Sequence, residues 1–325
     1  MSHGVNHFES CWFYLNYDCE KVLYSLLEKY NRTDYYICGK MPIHGIVYYQ
    51  DFKEIFKTQI ERVPGHYFDT YLLQALDERA ILDLRENNII EYFLKKKKEG
   101  IIKRFGLSIQ CRPDVFKMLL DLKCWDVVQM PINYYDWYLC RYDENYRLAC
   151  EYGLPIIAQA PVKGGLLTKE EKFSSEFFSS YNRNNLESAY DFIQNLPNIE
   201  LILTGNSKLE TFEKAYNAFS SYKKPNSLEN FKLAIKNYKE KSKINCLECG
   251  RCDLVCNQHL PISAYIKLYN LALNDKNYFN ALDIIKISTN EPSHRCNSCK
   301  ECIRECPLGV DIPNLFYTTI WELRT

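Results

Sequence analysis

Short apolar, β-branched runs alternate with amphipathic stretches of helical period from the N-terminus to about Phe219. The runs Val5–Glu9, Tyr35–Gly39, Phe68–Leu73, Arg104–Ser108, Asp126–Met130, Pro155–Ala158 and Glu200–Leu203 predict strands. Apolar residues recur at helical spacing through Asp18–Lys29, Phe52–Arg62, Asn87–Lys98, Pro113–Leu122, Glu144–Glu151, Leu186–Leu196 and Leu209–Phe219. Strands alternating with helices predict βαβ units, an α/β class and a parallel sheet. A closed (β/α)8 barrel needs eight units and about 250 residues. This chain offers one unit fewer, so the expected architecture is a TIM barrel missing its first strand and helix. Such a barrel leaves strand edges that a helical segment or a second subunit must cover. The alternative, an open doubly wound sheet, lacks its usual Gly-x-Gly-x-x-Gly signature here.

The β signal stops at Ser220–Ser227, a linker containing Pro225. Beyond it Leu228–Glu240, Ile262–Leu273 and Tyr278–Ile287 predict helices and a small all-α domain. The expected domains are residues 1–222 and 223–325.

Composition narrows the function. The chain has 325 residues, 46% of them hydrophobic, enough for a large core and a smaller unit. Lysine plus arginine and aspartate plus glutamate both number 41, so charge gives no case for nucleic acid or a membrane surface. The block Lys95–Lys98 reads as a solvated helix end before Gly100. No apolar run reaches the roughly 18 residues of a membrane span. Met1-Ser2-His3-Gly4 does not begin a secretory signal. Fifteen cysteines without a signal for export predict a cytoplasmic, reducing setting, where grouped cysteines serve metals or catalysis.

Eight of those cysteines form two C-x2-C-x2-C-x3-C runs: Cys246, Cys249, Cys252, Cys256, then Cys296, Cys299, Cys302, Cys306. Three thiolates spaced by two residues wrap a loop around a 4Fe–4S cubane, and the fourth usually ligates the other cluster. The expectation is two clusters with crossed ligands: Cys246, Cys249, Cys252 and Cys306 for one, Cys296, Cys299, Cys302 and Cys256 for the other. Two structural zinc sites are the competing reading, although those pair two short knuckles. Asn257 stands where the second run has Pro307. The long helical spacer resembles the α-helical ferredoxin domains of fumarate reductase and related electron-transfer subunits. The other seven cysteines, Cys11, Cys19, Cys38, Cys111, Cys124, Cys140 and Cys150, read as ordinary thiols.

The N-terminal region resembles a specific family. Gly4-Val5-Asn6-His7-Phe8-Glu9-Ser10, with Tyr14 five residues after Glu9, is similar to the aldo/keto reductase pattern G-[IV]-N-x-F-D-[ST]-A-x-x-Y. Cys38-Gly39-Lys40-Met41-Pro42 resembles that family's strand-end lysine, and Tyr71-Leu72-Leu73-Gln74 its strand-end histidine. Gly106-Leu107-Ser108, Gln129 with Asn133, Ala160–Gly165 and Gly205-Asn206-Ser207 follow in family order. With the cysteine runs, the chain resembles the iron–sulfur-fused branch of that superfamily.

The resemblance implies a carbonyl reductase using NADP(H) or NAD(H) on a small-molecule substrate. Tyr14 would be the general acid, Lys40 would bring its pKa toward working pH, and Glu9 would hold Lys40. The family has aspartate at Glu9 and histidine at Gln74; glutamine donates a hydrogen bond but does not titrate near neutrality. Ser108 and Gln129 match positions that hold the nicotinamide carboxamide. Ser207 opens a helix and suits a phosphate. Lys163 and Lys208 are candidate cationic partners for the phosphates, Lys208 for a 2′-phosphate, with plain solvent exposure as the other reading. Gln159 falls where many relatives stack a side chain on the nicotinamide. His44 is a substitute acid or a plain loop histidine, and His7 is expected to face the helices. Trp12, Phe13, Tyr134, Tyr135 and Trp137 line a substrate pocket or fill the core.

Two functions follow. The first is an oxidoreductase passing hydride at the barrel and single electrons through two clusters, with a ferredoxin or flavoprotein partner. The second is an iron–sulfur electron carrier or interaction protein whose barrel has lost catalysis.

Overall fold

The computed structural model describes residues 1–43, 51–76, 80–81, 84, 86–168, 176–179, 182–225, 227–241, 244, 246, 250–274, 295–306 and 308–316. His44, Cys249, Pro307 and the helix expected at Tyr278–Ile287 lie outside the described residues. The elements, in order, are β1 (His7–Glu9), α1 (Cys19–Leu27), β2 (Tyr36–Pro42), α2 (Asp51–Arg62), β3 (Phe68–Leu76), α3 (Ile89–Lys98), β4 (Ile102–Ile109), α4 (Pro113–Leu120), β5 (Val127–Pro131), α5 (Tyr134–Leu139), α6 (Tyr142–Glu151), β6 (Ile156–Gln159), α7 (Glu176–Ser179), α8 (Asn185–Gln194), β7 (Ile199–Ile202), α9 (Leu209–Ser220), α10 (Glu229–Lys241), α11 (Arg251–Leu254), α12 (Ile262–Asn274) and α13 (Glu301–Glu305). They fall into two compact units. One holds Met1–Ile132, Asp143–Pro161 and Leu196–Asn206; the other holds Asn133–Tyr142, Val162–Asn195 and Ser207–Thr325.

The first unit contains one seven-stranded sheet in chain order, each neighbouring pair parallel. Four strand spacings separate β1 from β5, about 19 Å if the sheet were flat. Yet the Glu9 carboxylate on β1 lies 2.6 Å from the Gln129 amide on β5. Arg104 on β4 likewise meets Glu200 on β7 at 2.5 Å. Side chains meet across such gaps only if the sheet curls around them, as in a (β/α) barrel. Aromatic rings seal the layer between α2, α3 and the sheet: Phe56, Tyr71, Phe93 and Phe105 form a chain of contacts at 5.0–5.7 Å. Gly106 on β4 allows the closest approach, since a Cβ there would stand 2.4 Å from the Val127 carbonyl oxygen.

Helices α5, α7, α8 and α10 of the second unit share an aromatic core. Tyr134, Phe178, Phe192 and Phe231 are buried with ring centroids 5.1–6.1 Å apart. Asp191 on α8 fixes the segment that sequence marks as a linker. It takes two hydrogen bonds from the Arg183 guanidinium, at 2.7 and 3.0 Å, and one from the Lys223 backbone N–H at 3.0 Å. Its side chain is 0% exposed and that of Arg183 7%. Removing one member of such a pair strands the other charge. Asp191→Ala is therefore expected to cost about 3–5 kcal/mol in urea melts, and Arg183→Met in the same chain to restore much of it.

The cysteine-bearing segment has a core of Ile244, Leu260, Ile262, Tyr265, Ile266, Tyr269, Ile312 and Phe316. Asp253 accepts the Ser263 N–H at 2.8 Å and so pins the start of α12 beside the first cysteine run. Asn270 on α12 brackets Ile244, accepting from its N–H and donating to its carbonyl at 3.1 and 2.6 Å.

Candidate active site and cysteine cavities

The inward face of the sheet carries a connected polar set near the strands' C-terminal ends, where barrels of this kind place chemistry. Lys40 on β2 is almost wholly buried, its side chain 2% exposed, and its ammonium sits 2.6 Å from one oxygen of Glu9. The other Glu9 oxygen accepts the Gln129 amide at 2.6 Å. Burial alone would depress the lysine pKa. The Glu9 carboxylate, helped by Tyr14 and Cys38, outweighs it and leaves Lys40 above the ordinary lysine value. Lys40 is thus a fixed positive charge at any physiological pH.

Tyr14 lies in the loop after β1. Gln74, on β3, donates from Nε2 to the Tyr14 hydroxyl at 3.3 Å. Burial raises the Tyr14 pKa; Lys40 and the Gln74 hydrogen bond pull it down, and the net shift is upward. Lys40 acts in the expected direction, but burial is the larger effect, so Tyr14 stays protonated throughout the neutral range. Leu15, Asn16 and Tyr17 follow in the left-handed region, with φ of 50°, 53° and 71°. Three successive non-glycine residues there hold the turn beyond Tyr14 under strain.

Parallel pairing sets Ser108 on β4 beside Gln129 on β5. Both are buried, and the Gln129 Oε1 has no hydrogen-bond partner. An orphaned buried acceptor is costly unless a ligand donates to it. The amide of a nicotinamide carboxamide is such a donor, so these residues fit the group the sequence implied. Gln159 ends β6 and is half-buried.

In the second unit, the Lys163 side chain is 12% exposed and not freely solvated. Its ammonium sits 2.8 Å from Asp136, whose side chain is 2% exposed, and 4.8 Å from the centre of the Tyr135 ring. Ser207 is exposed, and Lys208, also exposed, is the N-cap of α9, with no side-chain hydrogen bond to the helix. The free N–H groups of that helix start are the kind that receive phosphate.

Other expectations sort cleanly. His7 shares the inward face with Glu9, two positions on. Its electrostatic neighbours are Glu9, Asp69, Glu200 and Arg104, and burial lowers its pKa. It therefore faces the barrel interior and not the helices. Tyr134 and Trp137 pack on Phe192 and belong to the core of the second unit. Tyr135 donates its hydroxyl to the Cys246 carbonyl at 3.3 Å. Only Phe13, half-exposed and edge-on to Tyr14 at 5.4 Å, keeps a place beside the acid; Trp12 lies under the Arg62 guanidinium.

The cysteines surround two cavities. One is lined by Cys246, Cys252 and Cys306 with Ile266, Val310 and Ile312. The other is lined by Cys256, Cys296, Cys299 and Cys302 with Leu260, Ile262 and Phe316. Cys306 thus lines a cavity with Cys246 and Cys252, and Cys256 lines the one with Cys296, Cys299 and Cys302. Burial, then Cys296, Cys299 and Cys256, push the Cys302 thiol up to about 11. Thiols crowded in this way favour a cationic group that takes them as thiolates. Among the described residues, no three His, Cys, Asp or Glu side chains stand close enough to hold a single metal ion.

Residues 1–242 match the Aldo/keto reductase family. The chain belongs to that family. The matched stretch includes the polar set around Tyr14 and stops short of Cys246. Solved structures of aldo/keto reductases share the fold. One from Bacillus halodurans, in its holo form, is 21% identical with a TM-score of 0.56, covering 74% of this chain and 82% of its own. One from Klebsiella pneumoniae, in complex with NADPH, is 17% identical with a TM-score of 0.59, covering 72% and 81%. One from Brucella melitensis is 15% identical with a TM-score of 0.56, covering 73% and 84%. No curated relative matches in sequence.

Within the family pattern, Glu9 replaces aspartate, and its extra methylene has a visible use. One carboxylate reaches both Lys40 and Gln129, tying the charged pair to β5. The sequence reading missed this bridge and the hydrogen bond of Cys11 to Gln74; both join residues far apart in the chain.

Proposed function

We propose that the protein is an NAD(P)H-dependent carbonyl reductase that also carries two 4Fe–4S clusters. The observation that supports the first part best is the buried line from Glu9 and Lys40 to Tyr14 and Gln74. A carbonyl oxygen accepting hydride develops negative charge, and this set meets it with a proton on Tyr14 and a fixed cation at Lys40. Bound NAD(P)H supplies the hydride. Tyr14 gives its hydroxyl proton to the carbonyl oxygen, and Lys40 stabilises the phenolate left behind. Glu9 keeps Lys40 charged and in place. In the first unit Ser108 and Gln129 would hold the carboxamide; in the second, Ser207 and Lys208 at the start of α9 would suit a phosphate, the Lys208 charge favouring the 2′-phosphate of NADP.

The two cavities support the cluster reading. Cys246, Cys249, Cys252 and Cys306 would hold one cluster, and Cys256, Cys296, Cys299 and Cys302 the other, in an all-α domain after the barrel. The clusters supply one-electron transfer. Hydride chemistry moves electrons in pairs and clusters pass them singly, so exchange between the two centres calls for an intermediary such as a flavin or a substrate radical, while the clusters would trade single electrons with a ferredoxin or flavoprotein partner. Among the described residues no helix is long and apolar enough to cross a membrane. The cysteine-rich chain suits a reducing cytoplasm.

The test is a titration of anaerobically purified, cluster-loaded protein with NADPH and then NADH, followed by quenching of intrinsic fluorescence. Saturable quenching, tighter for NADPH, is expected. No binding at millimolar cofactor would sink the reductase and leave an iron–sulfur carrier.

A further inference from the structure

Two residues at which this chain leaves the family pattern touch one another. Cys11 stands at the alanine of the D-[ST]-A-x-x-Y segment, and Gln74 at the strand-end histidine. Cys11 Sγ lies 2.6 Å from Gln74 Oε1, and Gln74 Nε2 lies 3.3 Å from the Tyr14 hydroxyl. Cys11 is wholly buried. A second oxygen, the Lys40 carbonyl, stands 3.9 Å from the same sulfur, while the Phe13 backbone N–H donates to it. The sulfur's oxygen neighbours accept hydrogen bonds, so the thiol's own hydrogen has a place only between them.

A glutamine amide has two faces of nearly the same shape and opposite polarity. Turned one way, Gln74 offers Tyr14 an N–H donor. Turned the other way, it offers a carbonyl oxygen, and Tyr14 would spend its proton on that acceptor. Only the first arrangement leaves the phenol proton for a substrate. A thiol donates through its S–H, while its sulfur is only a weak acceptor and already takes the Phe13 N–H, so Cys11 favours the amide oxygen over the amide nitrogen.

We propose that Cys11 is a positioning residue: its S–H holds the Gln74 carbonyl oxygen and thereby turns the Gln74 amide nitrogen onto the Tyr14 hydroxyl. The consequence for catalysis rests on the reductase reading above; the hold itself does not. Burial keeps the Cys11 thiol protonated, pushing its pKa up to about 12, so the device works across the physiological range. It differs from a histidine relay in having no group that titrates near neutrality.

Two readouts separate the parts. The first is the S–H stretching band, isolated as the infrared difference between the unaltered protein and Cys11→Ser. A hydrogen-bonded thiol absorbs at lower frequency than a free one. The band is expected at the bonded position and should move toward the free position in Gln74→Ala. The second is carbonyl reduction. Cys11→Ala is expected to lower kcat about tenfold with KM within about twofold, the loss of one hydrogen bond felt at the transition state. Cys11→Ser keeps a donor and should recover to within a few-fold. A free-thiol band indifferent to Gln74→Ala overturns the proposal, as does a Cys11→Ala enzyme as fast as the unaltered one. Equal losses in Cys11→Ala and Cys11→Ser do so too. A bonded band in a protein that binds NADPH but reduces no carbonyl upholds the hold on Gln74 and overturns the reductase reading.

Discussion

Tyr14→Phe is expected to lower kcat/KM for carbonyl reduction by about 10²–10⁴-fold, the usual worth of a positioned general acid. Phenylalanine keeps the ring and its edge contact with Phe13 and removes only the proton donor. NADPH binding should survive, since Ser108 and Gln129 are untouched. The pH profile carries a further sign. Burial raises the Tyr14 pKa above its ordinary value of about 10, with Lys40 opposing but not cancelling it. An acid works while protonated, so the rate should stay level from pH 6 through the neutral range and fall only above about pH 10. Glutamine at position 74 does not titrate, so it imposes no limb near pH 6.5. Gln74→His should create one. A profile with a neutral-range limb in the unaltered protein would point to a different acid, and a Tyr14→Phe enzyme of full speed would remove Tyr14 from the mechanism.

The alternation of apolar runs and helical stretches makes the fold legible in the sequence, because each unit repeats one local pattern. All seven strands fall where the runs lie, and the long helices within a residue or three. Short elements left no such trace. Helix α5 spans six residues, less than two turns, and is announced only by its cap, where the Asn133 side chain accepts the Asp136 N–H. The candidate-site residues were legible one at a time, as types at strand ends. Their connections were not. Which side chains face inward follows from alternation, but which of them meet follows from how far the sheet curls. The Glu9–Gln129 contact spans 120 positions and the Cys11–Gln74 contact 63. Lys163 shows the same limit from the other side: nothing near it in sequence marks Asp136, 27 positions away, as the partner that takes its charge. The cysteine runs stand out in the sequence by their spacing, which is what motivates reading them as ligand sets.

The cysteine runs can be tested as cluster ligands by removing them. Cys306→Ala is expected to lower iron from about eight to about four per chain, and the cluster lost should be the one belonging to the other run. Cys306 lines a cavity with Cys246 and Cys252, while its sequence neighbours Cys296, Cys299 and Cys302 line the second cavity with Cys256. Pairwise variants turn this into a choice between two ligation schemes. If ligands cross, Cys306→Ala with Cys252→Ala damages a single cluster, and about four irons remain. Cys306→Ala with Cys302→Ala damages both, and almost none remain. If each run kept its own four cysteines, the two results would be exchanged. Iron and labile sulfide measured on anaerobic protein decide it. The crossed outcome has a mechanical consequence: each cluster then ties the segment at Cys246–Cys256 to the one at Cys296–Cys306. Losing either cluster should loosen the core of Leu260, Tyr265 and Phe316 that lies among them. Ligand binding that depends on folding is folding energy. The C-terminal segment stripped of both clusters should therefore lose helical signal and become the first part of the chain that a protease cuts.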